Sequence, residues 1–227
     1  MSPRGWREAE ERPPMPTLLY EVDTADKPAK LKAGIAVKFR VYELTFVQLA
    51  KTIEDASRVV SPGSSSSEFT MAQRAERRKL QVKAFDASGV EVAIEDGELL
   101  KLPRSLGSKI AAGIDKVSKV PGGKVIVKGD GADTPVIFKL GSGLIVGGDK
   151  GEQTIYDIEF SAKTWGDIEI VLCAGSSVAQ TLALIENCAL PLAKDLGIIR
   201  FPSMMLDQIT MNDGVAIMNE VLPGFLE

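Results

Sequence analysis

Four carboxylates, Asp157, Glu159, Asp167 and Glu169, crowd into one short stretch of this 227-residue chain, and carboxylates at that density are raw material for acid–base chemistry. They lack company. No histidine occurs anywhere in the sequence, which removes the commonest general base and the usual transition-metal ligand. Asp157 and Glu159 alternate onto one face of a strand with no partner base beside them, so they are expected to form an exposed acidic patch, usable as half of a subunit contact. Cys173 and Cys188 are the only cysteines; both sit in apolar helical text and are expected to be reduced core thiols, not a disulfide or a zinc site.

Other chemical motifs fall short on spacing. The glycine-rich "GSGLIVGGDKG" has neither the G-x-x-x-x-G-K-[ST] order of a phosphate loop nor a G-x-G-x-x-G run opening a helix. It is expected to be a β-turn with glycines at positive φ. "GDGADT" begins like a calcium loop but has no glutamate at the twelfth position, so a hairpin turn is expected there too. "QRAERRK" is the one basic run, and without interleaved aromatics to stack on bases it reads as a solvated helix face. The chain is therefore expected to need no cofactor or metal and to catalyse nothing.

Composition agrees. Lys plus Arg (27) against Asp plus Glu (31) leaves a net charge of -4, which offers no basic field to nucleic acid or an anionic membrane. No apolar run is long enough to span a bilayer, and "MSPRGWREAEERPP" is too charged for the core of a signal peptide. With 44% hydrophobic residues the chain can build a real core.

The positioning elements follow from periodicity. Residues 1–17, rich in charge and proline, are expected to be a flexible N-terminal arm, with Met15 as an alternative start to Met1. From Leu18, "LLYEVDTADKP" and "GIAVKFRVYEL" alternate as paired strands do. "TFVQLAKTIEDASRVV" then turns helical, with Phe46, Leu49 and Ile53 on one face and a capping box at Thr45 and Gln48. "SPGSSSS" reads as a linker, after which Thr70 and Gln73 form a second candidate box opening a short basic helix. Two strands, a helix behind Pro103, and three or four glycine-rich strands follow. From Thr164 the text is nearly all helix, with caps at Thr164 and Thr210 and a stop or kink at Pro223.

The fold class expected is α+β: two small units, 18–119 and 120–227, each a β hairpin or sheet followed by capped helices, the second ending in a helical third. An ungapped echo between "VKFRVYELTFVQLAKTIEDAS" and "YDIEFSAKTWGDIEIVLCAGS" sets Thr45 against Thr164 and Phe46 against Trp165, and a later one sets Pro103 against Pro202, as a duplication would. The C-terminal third carries more apolar side chains than one thin helical layer uses, four of the seven methionines among them. Ile209, Val215 and Val221 are expected inward. Met204, Met205, Met218 and Phe225 are expected at a subunit or client interface.

The run "IEFSAKTWGDIEIVL…QTLALIENCALP…PSMMLDQITMNDGVAIMNEVLPGFLE" resembles the tail assembly chaperones of long-tailed bacteriophages. The shared order is a β segment, a T-x-x-D helix start, a Leu/Ile-rich helix, a short P-x-x-[LM]-x-x-[LM] element and a final helix ending in apolar residues. It covers about residues 155–227, roughly a third of the chain, and the β-rich centre departs from a minimal chaperone. The resemblance implies a non-enzymatic, oligomeric protein of the host cytoplasm that binds a tape measure or baseplate hub protein through apolar helical surface. A structural subunit retained in the virion tail or baseplate is the second expectation, and a small enzyme with an unrecognised site the third.

Overall fold

Alternating apolar and polar residues at the front of the chain build strands whose pairing is less direct than a single hairpin. In the computed structural model, which describes residues 18–61, 63–129, 131, 134–148, 151–193, 198 and 200–226, β1 (Leu18–Asp23) pairs antiparallel with β4 (Lys38–Tyr42). A small ribbon of β2 (Ala29–Leu31) and β3 (Gly34–Ala36) rises between them. The arm expected over residues 1–17 lies outside the described residues. Thr45 caps α1 (Phe46–Val59), and its capping box with Gln48 closes as its spacing predicts: the Gln48 N–H donates to Thr45 Oγ1 at 3.2 Å while Gln48 Oε1 accepts from the Thr45 N–H at 3.0 Å.

The next helix corrects the sequence reading. α2 spans Ser66–Gln81 and is capped by Ser65, whose box partner is Glu68. Thr70 lies inside the helix and spends its hydroxyl on the Ser66 carbonyl. The serine run read as a linker supplies an earlier S-x-x-E box, which satisfies orphan amides one turn sooner. β5 (Val82–Phe85) and β6 (Glu91–Val92) then complete a sheet of order β1-β4-β5-β6, their turn closed by Asp86 accepting the N–H groups of Ser88 and Val90. After α3 (Glu98–Lys101), α4 (Arg104–Val117) packs on this sheet. Leu106, Ile110 and Val117 meet Val22, Phe39, Val41, Val82 and Ala84 in a first core.

The second sheet has order β10-β9-β8-β7: β7 (Lys124–Val127), β8 (Val136–Gly148), β9 (Gly151–Phe160) and β10 (Ala189–Pro191). β10 was not expected, since "ENCALP" continues a helical pattern. Free strand edge on β9 decides otherwise, pairing Ala189–Pro191 with Ile158–Phe160. Four helices frame it: α5 (Trp165–Cys173), α6 (Ser177–Cys188), α7 (Ser203–Leu206) and α8 (Met211–Glu220), with α9 (Leu222–Leu226) last. Pro223 falls in the first turn of α9, where a missing N–H costs nothing, so the helix break precedes it. Thr164, like Thr45, follows a strand of a four-stranded antiparallel sheet and caps a helix through a complete capping box. Pro103 and Pro202 are the N-caps of α4 and α7.

Packing does not stop at residue 119. Leu44, Phe46 and Leu49 belong to the second core, with Phe138, Leu144, Ile158, Phe160, Ile185 and Ile217. Phe46 is fully buried and lies against Gly214 of α8, where a Cβ would run into its ring. Glycine inside a helix costs about 1 kcal/mol against alanine, and here it admits the phenyl ring. Gly214→Ala should regain that propensity and still lose, because overpacking a filled site costs about 1–3 kcal/mol or more. The expected net result is a lower urea midpoint, by about 1–2 kcal/mol of stability, with the helical circular dichroism signal retained.

Candidate functional site

Thr45 and Thr210 meet as an isolated antiparallel bridge. The Phe46 N–H donates to the Ile209 carbonyl at 2.8 Å, and the Met211 N–H donates to the Leu44 carbonyl at 2.7 Å. Two Thr-capped helix starts, far apart in sequence, thus face each other with reciprocal bonds. Around this joint lies a buried polar cluster. Asn212 donates its amide to Glu43 Oε1 and to the Val117 carbonyl, each at 3.1 Å. Arg77, from the basic run, is half-buried and reaches the Met211 sulfur at 3.5 Å and Ser118 Oγ at 3.2 Å. That residue is a tether and not part of a solvated face; burial, with Arg74 nearby, lowers its pKa.

Asp213 is completely buried. Its Oδ1 accepts the N–H groups of Gly123 and Gly141, both at 2.7 Å, and its Oδ2 accepts the Ser142 N–H at 3.1 Å and the Thr210 hydroxyl at 3.0 Å. The Gly141 and Ser142 amides are available because β8 bulges, Lys139 opposing Asp157 and the next pair being Leu144 with Ile155, while Gly123 comes from the loop before β7. The bulged residues leave the ladder and find the carboxylate. Nearby, Gln208 clamps both the N–H (2.7 Å) and the C=O (3.1 Å) of Ile145, and Glu220 accepts the Val125 N–H at 3.0 Å. The last helices are therefore fastened to the sheet by backbone bonds that side chains supply.

The remaining carboxylates divide by role. Asp167 is a capping residue: its Oδ2 accepts from the N–H groups of Thr164 (2.8 Å) and Lys163 (3.1 Å). Asp157 and Glu159 are half-buried on β9, not openly exposed, and Asp157 Oδ1 is buried without a hydrogen-bond partner. Glu169 is exposed. Among the described residues no group of three or more potential ligands could hold a metal ion. Cys188 is buried, and that burial pushes its thiol up to about 11, too high to be a nucleophile at neutral pH. Cys173 corrects the expectation of a core thiol, because it lies on the outward face of α5 and is exposed.

The four residues expected at an interface part company. Met205 and Phe225 are buried in the chain's own second core, Phe225 against the backbone of Gly131, which has a positive φ of 75°. Their apolar surface is consumed internally, so a partner surface here must rest on Met204, 66% exposed, and Met218, half-buried. Ile209 and Val221 are buried and Val215 is partly so. Met218 lines a groove with Ser177, Asn219, Leu222, Pro223 and Leu226, between α6 and the end of the chain. What sequence reasoning missed is α5. It is apolar on nearly every side, yet only Val171 is fully buried, and Trp165 (71%), Ile170 and Leu172 face outward.

Burial pushes the Glu43 carboxyl above the usual range and the Asp213 charge adds to the rise, while the Asn212 amide donating to its Oε1 opposes it. A folded-state value above the unfolded 4.5 means that the contribution of Glu43 is full below that pH and is lost as pH rises through the raised value. Glu43→Gln keeps an oxygen for Asn212 and removes the charge. It should raise the urea midpoint at pH 8 and leave little difference at pH 4. Asp213→Ala strands three backbone N–H groups at roughly 1–3 kcal/mol each, so a loss of at least about 3 kcal/mol is expected in the same assay. No family model, no curated protein and no solved structure matches this chain.

Proposed function

We propose that this chain is a non-enzymatic assembly protein that binds a helical, apolar client, in the manner of the tail assembly chaperones that its last third resembles. The observation that carries the reading is the apolar surface left over once the second core is complete. Met204 and Leu226 are exposed and Met218 is half-buried beside a groove whose floor is Leu222. An amphipathic helix laid into such a groove buries its own apolar face, and methionine adapts to an irregular partner at little cost in strain. The client of that kind in a phage tail is the tape measure or the baseplate hub protein. Among the described residues no helix is long and apolar enough to cross a membrane, and none of the carboxylates described above is arranged with a partner base.

The experiment is capture from cells assembling tails. Tagged chain should co-purify the tape measure or hub protein, and Met218→Ser with Leu226→Ser should lower recovery at least tenfold while leaving circular dichroism unchanged, because neither side chain is fully buried. Unchanged capture by the double variant would refute the groove as the client site. A virion subunit is the second reading, favoured by the β-rich centre that a minimal chaperone lacks. Mass spectrometry of finished particles separates the two: a chaperone is expected to be missing from them, and a subunit present.

A further inference from the structure

Three helix starts in this chain share one design. Leu44-Thr45-Phe46, Lys163-Thr164-Trp165 and Ile209-Thr210-Met211 each place an extended threonine, with ψ of 162°, 157° and 155°, before a helix. In each, the threonine oxygen accepts the N–H of the residue three further on, Gln48, Asp167 or Asp213, at 3.1–3.3 Å. Two of the three are paired with one another inside the chain. The residue after the threonine donates to the carbonyl of the residue before the opposing threonine, in both directions, and the residues doing so, Phe46 and Met211, are buried.

The third start has nearly the same ψ with a more extended φ, -141° at Thr164 against -77° at Thr45 and -66° at Thr210, and no strand pairs with it among the described residues. Asp167 draws the N–H groups of Lys163 and Thr164 inward, while neither the Lys163 carbonyl nor the Trp165 N–H has a hydrogen-bond partner among the described residues. Trp165, the counterpart of Phe46, is 71% exposed, and Ile170 and Leu172 extend the apolar surface along α5. A tryptophan beside an open strand-like edge is a costly thing to leave in water.

We propose that a second copy of this chain docks here, Thr164 against Thr164, by the reciprocal bridge that already joins Thr45 to Thr210. The occupant follows from the contact's own symmetry. A bridge built from two identical halves is isologous and closes with two copies, and the other two starts are already consumed within the chain. Charge is self-complementary as well. Lys163 and Glu169 are exposed and form no ion pair among the described residues. In an antiparallel bridge, Lys163 of one copy falls opposite Trp165 of the other and near the acidic first turns of its helix. Ammonium over indole and ammonium beside carboxylate are both favourable there. This surface is distinct from the groove at Met218 and stands without the client reading.

Sedimentation velocity on the full chain at micromolar concentration tests it. Wild type is expected as a dimer and Trp165→Asp as a monomer, with far-UV circular dichroism and urea midpoint unchanged because the indole is outside the core. Opposed threonines of this bridge type have Cα atoms about 4.5 Å apart, within disulfide reach. Thr164→Cys in a Cys173→Ser background should therefore form an interchain disulfide on mild oxidation, and Glu152→Cys in the same background should not. A monomeric wild type overturns the proposal, as does a dimer that survives Trp165→Asp, or a dimer in which the Thr164→Cys thiols fail to cross-link. Met218→Ser with Leu226→Ser should leave the dimer intact, so loss of client capture and loss of pairing read out separately.

Discussion

A carboxylate taken out of water needs its charge met by hydrogen bonds, and Asp213 has no ion-pair partner among the described residues. Three backbone amides and one hydroxyl do that work, each aided by the positive end of the α8 dipole on which the carboxylate sits. Much else follows from this arrangement. The bulge in β8 is held open because its amides have a better acceptor than the strand across from them. The loop at Gly123 is drawn onto the helix start, so β7 is placed at the edge of the second sheet. With α8 fixed in this way, Gly214 presents bare backbone to Phe46, and the second core can reach into α1.

That reach makes the chain more than two sheets in series. Helix α1 leaves the first sheet through β4 yet gives Phe46 and Leu49 to the second core, while the first core is closed by α4. The polar residues at the joint serve geometry. Asn212 ties Glu43 to the end of α4 through the Val117 carbonyl, and Arg77 spans from α2 to the Met211 sulfur. Buried polar groups of this kind add little net stability when satisfied and cost much when one partner is removed, so they specify how the two halves meet.

The outer surface obeys a different rule. Apolar residues on α7, α8 and α9 are sorted by the core: Met205 and Phe225 enter it and Met204 stays out. On α5 the sorting is incomplete, for a nine-residue helix with one fully buried side chain gains little by lying on its own domain. A helix whose composition suits an interior but which stands at the surface is expected to find its interior in an assembly.

How much of this could be read from the residues depends on how local each interaction is. The α+β class, the strand alternation before Thr45, and the caps at Thr45, Thr164 and Thr210 involve partners within a few positions, and spacing alone determined them. The same logic failed at Thr70 only because two boxes competed and the serine run held the earlier one. Strand β10 and the roles of Arg77, Gln208 and Asp213 could not be read in this way. Their distant partners lie 41 to 134 positions away for the side chains, and for β10 the deciding factor was an open edge on β9. The methionines show the same division. Their number marked the last third as unusually apolar, but Met204 and Met205 are neighbours in sequence, and only the tertiary packing of α7 against the second sheet turned one outward and the other in.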